Sequence, residues 1–358
     1  MPGNPGHSSP LRIALVAPPY FAVPPSGYGG VEAVVADLAD ALVARGHRVT
    51  LLGAGPPGTD ADYVPVWDSP IPDRLGEPYP EVVHAAAVRA EIERLALGAG
   101  LDVVHDHTQA GPLNAAAHAR LGLPTVVTMH GPVNGDVHRV FEALTDVHLV
   151  AISERQRDLA PGLNWIATVH NAVRADDWPY QPDKCGYGLF LGRFHPDKGA
   201  HLALDAAHEA GLPLVLAGKC AEQVEQEHFE REVRPRLRPA DRFEGSAGAA
   251  AKRELLAGAR CLLFPVQWEE PFGMVMIEAM ACGTPVVALR GGSVPEVVAD
   301  GVTGFVCEDP AGLAGALRRI GDIDPAACRQ RVVDHFGTDN LAEGYEQAYR
   351  TALARTAR

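Results

Sequence analysis

The sequence lacks both an excess of basic residues and a long apolar run. Its 358 residues include 31 Lys and Arg against 45 Asp and Glu, which gives a formal net charge of −14. A negative field of this size disfavours nucleic acid, or an anionic membrane surface, as a general partner. Because no apolar run approaches the roughly 18 residues that a membrane-spanning helix needs, the sequence predicts no such helix.

Cysteine is absent from the first half of the chain. The second half holds six widely spaced cysteines, mostly in apolar settings: Cys185, Cys220, Cys261, Cys282, Cys307 and Cys328. This pattern predicts reduced core thiols rather than a disulfide framework or a zinc site. Residues 1–10, "MPGNPGHSSP", have neither the basic start nor the apolar core of a signal peptide, so we expect a disordered tail and a cytoplasmic protein.

Short apolar strands alternate with helical segments along the chain. Residues 11–19, "LRIALVAPP", precede a glycine-rich loop and an amphipathic segment that stops at Gly46, which is typical of a strand, a loop and a helix. Further strands are predicted at "HRVTLLG", "LDVVH", "PTVVTMH" and "VHLVAIS", with a helix over 81–97. The alternation predicts an α/β fold with a doubly wound parallel sheet.

A polar segment at 171–186 interrupts this pattern, which restarts with the strands "YGLFLG", "LPLVLAG", "RCLLFPV" and "TPVVAL". Helices are predicted at 199–210, 249–257 and 274–282, and "SVPE" at 293–296 is interpreted as a capping box. The chain length also favours two domains. We therefore predict two Rossmann-like domains facing across a cleft, over 11–175 and 176–340, and a C-terminal helix over 341–358 that can pack back on the first.

Glu270 and Glu278 are the first candidate site residues. Between Pro271 and Leu289 the only charged side chain is Glu278, in an apolar helix, so it has no local ion partner. Helical side chains lean toward the N-terminus, and Glu278 should point back toward the loop of Glu270. Vicinal hydroxyls of a ribose or hexose would satisfy a buried carboxylate by hydrogen bonding. The alternative partner for Glu278 is a backbone group or a distant cation.

The start of that helix is a second candidate feature. The amides of Phe272, Gly273 and Met274 lack partners within the helix and are suited to sugar oxygens or phosphate.

Arg193 and Lys198 fall between a strand end and a helix start in "LFLGRFHPDKGAHLALDAA". Cations at a helix N-terminus oppose the helix dipole, whereas an anion placed among them reverses the sign. The two side chains and the helix amides would form a clamp for a diphosphate. The alternative is two solvated surface cations.

The loop "SGYGG" at 26–30 lacks the spacing of a dinucleotide fingerprint. Gly29 and Gly30 would instead let the backbone approach a phosphate or sugar.

Three histidines follow predicted strands or end them. His105 and His107 have no third ligand nearby, so "HDH" is a poor metal site, and an acceptor-pocket role or ordinary hydrogen bonding is preferred. His130 ends its strand, and its position alone favours neither a functional nor a structural role.

Several of these motifs together resemble glycosyltransferase family 4, whose members are retaining nucleotide-sugar transferases with two facing Rossmann-like domains, the GT-B architecture. The resemblance rests on "GRFHPDKG", "EPFGMVMIEAMACGTPVVALRGGSVPEVVADGVTGFV", "GYGGVE" and "TMHG", and it covers nearly the whole chain. The two glutamates separated by seven residues are a strong signal when the Arg/Lys loop accompanies them.

The resemblance implies roles for the candidate residues. Arg193 and Lys198 would hold the diphosphate of the donor, Glu270 would contact the transferred sugar, and Glu278 the ribose. Gly29 and Gly30 would meet the donor phosphate, and His130 would line the reacting centre near the acceptor.

The expected function is a retaining, metal-independent glycosyltransferase, a hexosyltransferase with no cofactor and with a nucleoside-diphosphate sugar as donor. A UDP-sugar is favoured only by its frequency in the family. The acceptor is unknown, a small molecule, a glycan or a lipid-linked acceptor, and is expected to contact the loops at 67–80 and 134–139. The alternatives are a nucleotide-sugar epimerase, a phosphorylase on the same fold, or a non-catalytic nucleotide-sugar binder.

Overall fold

The computed structural model describes residues 9–27 and 29–356. Most of the predicted tail, residues 1–8, lies outside the described residues. The chain divides into two compact units: the first contains the described chain up to Ile152, Leu159–Val169 and the chain from Leu341, and the second contains Ser153–Asp158 and His170–Asn340. The main boundary therefore falls between Val169 and His170, a few residues before the predicted boundary at 175.

The first unit is built on a seven-stranded parallel sheet with the strand order β3-β2-β1-β4-β5-β6-β7. Its strands are β1 (Arg12–Val16), β2 (Arg48–Ala54), β3 (Asp62–Trp67), β4 (Val103–Asp106), β5 (Thr125–Met129), β6 (Val147–Ala151) and β7 (Trp165–Thr168). Its helices include α1 (Gly30–Ala44), α2 (Tyr79–Leu97), α3 (Ala115–Arg120) and α4 (Gly135–Ala143).

The second unit is built on a six-stranded parallel sheet with the order β10-β9-β8-β11-β12-β13. Its strands are β8 (Gly188–Leu191), β9 (Leu214–Ala217), β10 (Arg242–Gly245), β11 (Cys261–Phe264), β12 (Val286–Leu289) and β13 (Gly304–Cys307). Its helices include α5 (Glu154–Leu159, with Leu159 in the first unit), α6 (Ala200–Ala210), α7 (Gln223–His228), α8 (Ala249–Gly258), α9 (Met274–Ala281), α10 (Val294–Val297), α11 (Pro310–Arg318) and α12 (Pro325–His335).

Both sheets follow the doubly wound strand order, which confirms the predicted fold class. The central strands, such as "TVVTM" of β5 and "VVAL" of β12, are buried throughout because helices cover both faces of a parallel sheet. In each sheet the strand order reverses between two neighbours, β1 and β4 in the first and β8 and β11 in the second. Ligands bind beyond the carboxyl ends of strands at such a switch point.

The six cysteines are all free thiols, and three of them, Cys261, Cys282 and Cys328, are buried. The described part of the chain contains no helix with the length and apolar character that a membrane crossing requires.

The last helix, α13 (Thr338–Thr356), belongs to the first unit from Leu341 onward. The hydroxyl of Tyr345 lies 2.7 Å from Thr128 Oγ1, and the hydroxyl of Tyr349 lies 2.8 Å from His105 Nδ1. Glu346 accepts hydrogen bonds from Arg45 Nε at 2.7 Å and Arg45 Nη2 at 3.1 Å, and its Oε1 lies 2.8 Å from His47 Nε2. These contacts tie α13 to strands β4 and β5 and to the segment between α1 and β2.

Replacing Glu346 with Gln should loosen α13. The hydrogen bond from Arg45 lowers the pKa of Glu346 to about 2, so its stabilising effect is present above the ordinary pKa of 4.5 and is lost as the pH falls toward 2. Glu346→Gln should destabilise the helix by roughly 2 kcal/mol at pH 7. Hydrogen exchange of the α13 amides measures this.

The matched control is Glu343→Gln, because Glu343 is exposed on the same helix. Equal exchange rates in the two variants would contradict the assigned role of Glu346.

Candidate functional site

In the second unit, the loops that follow β8 and β11 are joined by an ion pair between Lys198 and Glu270. The two strands are neighbours in the sheet, so their carboxyl ends place both loops at one edge. Trp268 Nε1 donates a hydrogen bond to Glu270 Oε2 at 3.1 Å, and Lys198 Nζ lies 4.9 Å from the centroid of the Trp268 ring. Two of the sequence-predicted residues therefore lie in direct contact.

The backbone of Glu270 is held against the glycine pair that follows β12. Gly292 has a φ of 49°, and a Cβ atom there would lie 2.2 Å from the carbonyl oxygen of Glu270, so only glycine allows this approach. The amide of Ser293 donates to that carbonyl at 3.0 Å. The position of the Glu270 carboxylate thus depends on a second loop of the same unit.

The predicted capping box at 293–296 is wrong. Ser293 Oγ donates to the carbonyl oxygen of Phe272 at 2.6 Å instead of capping α10. Glu296 accepts from the amides of Glu154 and Arg155 at 2.8 and 2.9 Å, and its Oε2 lies 2.9 Å from His170 Nε2. Both side chains bind neighbouring loops, because tertiary partners satisfy them better than the short helix does.

Glu278 lies in the second turn of α9, as predicted, and is only 6% exposed. The fold gives it a cation that the local sequence does not contain, since Lys252 Nζ of α8 lies 2.6 Å from Glu278 Oε1. Its other oxygen, Oε2, is buried and has no hydrogen-bond partner among the described residues. The distant-cation alternative is therefore correct for one oxygen and leaves the second without a hydrogen-bond partner.

The N-terminus of α9 carries the three predicted amide donors. The helix begins at Met274, and Gly273 is the N-cap residue with a φ of 76°. The side chain of Phe272 is buried, with its ring centroid 5.8 Å from that of His170 and 5.9 Å from that of Phe336. Phe272 can therefore offer a ligand only its backbone.

Arg193, in the loop after β8, is also engaged by carboxylates. Its Nη1 lies 2.7 Å from Glu222 Oε1 and 3.4 Å from Glu225 Oε1. Arg193 and Lys198 thus each have an acidic partner, with side chains that are 36% and 21% exposed. An anionic ligand must share or displace these partners.

The first unit contains a pocket of about 510 Å³ at the carboxyl ends of β1, β4 and β5. The predicted residues Gly29, Gly30 and His130 all line it, together with Glu32, Glu81 and His107. Gly29 has a φ of 144°, and a Cβ atom there would lie 2.8 Å from Pro25 Cβ and 3.2 Å from Glu32 Oε2. The glycine loop therefore packs closely on the start of α1.

Histidines of neighbouring strands meet at this pocket. His107 Nδ1 lies 2.8 Å from His130 Nε2, and burial lowers the pKa of His130 to about 4 and that of His107 well below its ordinary value. Both rings are therefore neutral at pH 7. His105 instead uses both ring nitrogens in the core, with Tyr349 and with Thr128 Oγ1, each at 2.8 Å.

A metal reading of these histidines finds no support in the described part of the chain, where no three His, Cys, Asp or Glu side chains are grouped to hold an ion.

Glu32 is a pocket residue that the sequence analysis did not single out. It is 3% exposed, and burial raises its pKa to about 7, with the charge of Glu81 as a further cause. Amides of Phe21 and of Glu32 itself oppose this shift. Its position two residues after the glycine loop is the feature of the sequence that could have identified it. Lys252, by contrast, has no motif that connects it with Glu278.

Two family models match this chain. Residues 28–177 match the family description "Glycosyltransferase Family 4", and residues 187–322 match "Glycosyl transferases group 1". A glycogen synthase of Mycobacterium tuberculosis is 30% identical, with 96% of this chain and 95% of that protein covered.

Two solved structures have the same fold. A glycosyltransferase involved in avilamycin A biosynthesis is 28% identical, with a TM-score of 0.68 and coverage of 96% of this chain and 98% of that one. The Anabaena protein HepE, solved in complex with UDP-glucose, is 18% identical, with a TM-score of 0.71 and coverage of 97% and 100%.

The two doubly wound sheets and these likenesses define the protein as a glycosyltransferase enzyme of the GT-B class. The chain belongs to glycosyltransferase family 4.

The raised pKa of Glu32 predicts a pH-dependent stability. Because the folded protein holds the proton up to about pH 7 and an unfolded glutamate only to 4.5, stability is lost as the pH rises through that window. Glu32→Gln should therefore gain roughly 2 to 3 kcal/mol over wild type between pH 4.5 and 8. Denaturation at pH 5 and pH 8 measures the change, with Glu142→Gln, at an exposed position of α4, as control. A constant difference at both pH values would contradict the prediction.

Proposed function

We propose that the protein is a retaining, metal-independent glycosyltransferase that moves a hexosyl group from a nucleoside-diphosphate sugar to an acceptor hydroxyl. The observation that carries the donor assignment is the buried, unpartnered Oε2 of Glu278. An orphaned carboxylate oxygen in an apolar helix is costly unless a ligand donates to it. Two vicinal hydroxyls of a ribose are suitable donors.

Arg193 and Lys198 support the diphosphate end of the donor. Arg193 meets its carboxylate partners through Nη1 alone, which leaves the other guanidinium donors for phosphate oxygens. Lys198 can move from Glu270 to a phosphate and leave Glu270 for the hydroxyls of the transferred sugar. The amides of Phe272, Gly273 and Met274 add uncharged donors.

In the reaction, the bond between the anomeric carbon and the leaving phosphate oxygen breaks, and the acceptor oxygen bonds to that carbon on the same face. The acceptor proton goes to the leaving phosphate oxygen. Charge grows on the departing diphosphate, and fixed cations and amides aimed at it lower the barrier, by about 100-fold to 1,000-fold per donor group. His130, which is neutral at pH 7, lines the acceptor side and offers its remaining ring nitrogen as a hydrogen-bond partner.

We assign UDP as the nucleotide, with support from the family and from HepE, which was solved with UDP-glucose. A thermal-shift screen of UDP-, GDP- and ADP-sugars distinguishes the bases.

Transfer should continue in excess EDTA, because Arg193 and Lys198 supply the positive charge at the diphosphate. It should preserve the anomeric configuration, because the acceptor oxygen bonds on the face that the phosphate leaves. Product configuration is read from the anomeric proton coupling by NMR. Activity lost in EDTA and restored by magnesium or manganese would contradict metal independence. An inverted product would contradict retention.

The two glutamates should separate by role. Glu278→Gln should weaken free UDP as well as the intact donor, by roughly 1.5 to 3 kcal/mol per lost charge-assisted hydrogen bond. Glu270→Gln should leave the affinity for UDP nearly unchanged and should reduce sugar discrimination and the transfer rate. Calorimetry with UDP and with the UDP-sugar compares the variants.

Lys252→Met is a companion variant, since it removes the cation that holds Glu278 Oε1. Its matched control is Arg253→Met, because both side chains lie about equally far from the Trp178 ring, at 5.5 and 5.6 Å, and only Lys252 contacts Glu278. Equal UDP affinity in wild type and Glu278→Gln would contradict the ribose assignment.

A further inference from the structure

We infer that the pocket of the first unit takes a hydroxylated acceptor that carries an apolar group and no phosphate or carboxylate. This rests on the proposed function in one respect, namely that the pocket is the acceptor site. It adds the chemical class of the acceptor, which follows from the charges and the apolar side chains around the pocket.

The charged side chains that line the pocket are all acidic. Glu32, Glu81 and Asp136 line it, and its described lining contains no lysine or arginine. Asp136 has a partner in Arg139 at 3.2 Å, but Arg139 is an exposed side chain outside the lining. Glu81 and Asp136, together with Glu32 above its pKa of about 7, would therefore present like charge to an anionic acceptor without a compensating cation in the lining.

Two glutamates of the pocket, the buried Glu32 and the half-buried Glu81, are held where they lie. Glu81 Oε2 accepts hydrogen bonds from the amides of Gln109 at 2.8 Å and Ala110 at 3.1 Å. The charge of Glu81 contributes to the raised pKa of Glu32, so the two carboxylates are close enough to interact. Neither can easily turn away from an incoming phosphate.

The histidines of the pocket do not offset this charge. His107 and His130 hydrogen-bond to each other, and burial keeps both pKa values low, so neither ring is a cation at neutral pH. His107 Nε2 is also buried without a hydrogen-bond partner, although its side chain lines the pocket. An uncharged hydroxyl is a suitable partner for such a nitrogen.

Polarity changes between the floor and the mouth of the pocket. On the buried side lie Glu32, His107 and Thr128, each less than 5% exposed. Leu75, Val137 and Val140, which also line the pocket, are 48%, 37% and 41% exposed. Hydroxyls therefore belong at the floor, and an apolar group of the acceptor would cover the exposed aliphatic side chains at the mouth.

Three matched probes test the inference: hexyl β-glucoside, its 6-phosphate, and methyl β-glucoside. Met129 lines the pocket, whereas Met274, Met276 and Met280 belong to α9 of the second unit, so methyl-labelled methionine gives a local NMR reporter with internal controls. Hexyl glucoside should shift the Met129 signal. The 6-phosphate and methyl glucoside should each bind at least tenfold more weakly than hexyl glucoside does.

The charge argument is tested separately with Glu81→Gln. This variant should bind the 6-phosphate of hexyl glucoside more tightly than wild type does. Its preference for hexyl glucoside over methyl glucoside should be unchanged. The control is Glu91→Gln, on the same helix and outside the pocket lining. The inference would be overturned if the 6-phosphate bound as tightly as hexyl glucoside or more tightly. It would also be overturned if hexyl glucoside did not shift the Met129 signal.

The same samples distinguish failure of the acceptor inference from failure of the proposed function. UDP binding, measured by calorimetry, depends on the second unit and not on the acceptor class. UDP that binds while hexyl glucoside does not would overturn the acceptor inference alone. UDP that fails to bind would overturn the donor assignment.

Discussion

The ion pair between Lys198 and Glu270 is the contact on which the proposed donor site of the second unit depends. It joins the loops after β8 and β11, which are neighbours at the point where the strand order reverses. Gly292 and Ser293 fix the Glu270 backbone from a third loop. Charged side chains from distant parts of the sequence are therefore brought to one edge of the sheet before a ligand arrives.

The candidate donor-site charges of the second unit are paired with opposite charges. Lys198 and Arg193 have acidic partners, and Glu278 has Lys252 on one oxygen only. A buried ion pair contributes little net stability, whereas an incompletely satisfied carboxylate is a cost to the fold. The unpartnered Oε2 of Glu278 is therefore better explained by ligand binding than by stability.

The central strands were predictable, and the edge strands were not. β1, β5 and β12 are buried on both faces and have continuous apolar sequences, whereas the unpredicted β3, β7, β10 and β13 are the four edges of the two sheets. All four edge strands include partly exposed positions, and β3 even contains Pro65. Glu270 and Glu278 were recognisable from their spacing. Lys252 was not, because its contact depends on how α8 packs beside α9.

A crystal structure of the chain with bound UDP tests the central claim most directly. The account predicts that Lys198 leaves Glu270 for a phosphate oxygen, and that Glu278 Oε2 accepts a hydrogen bond from a ribose hydroxyl while Lys252 stays on Oε1. UDP bound with Glu278 Oε2 still unpartnered and Lys198 still on Glu270 would contradict it.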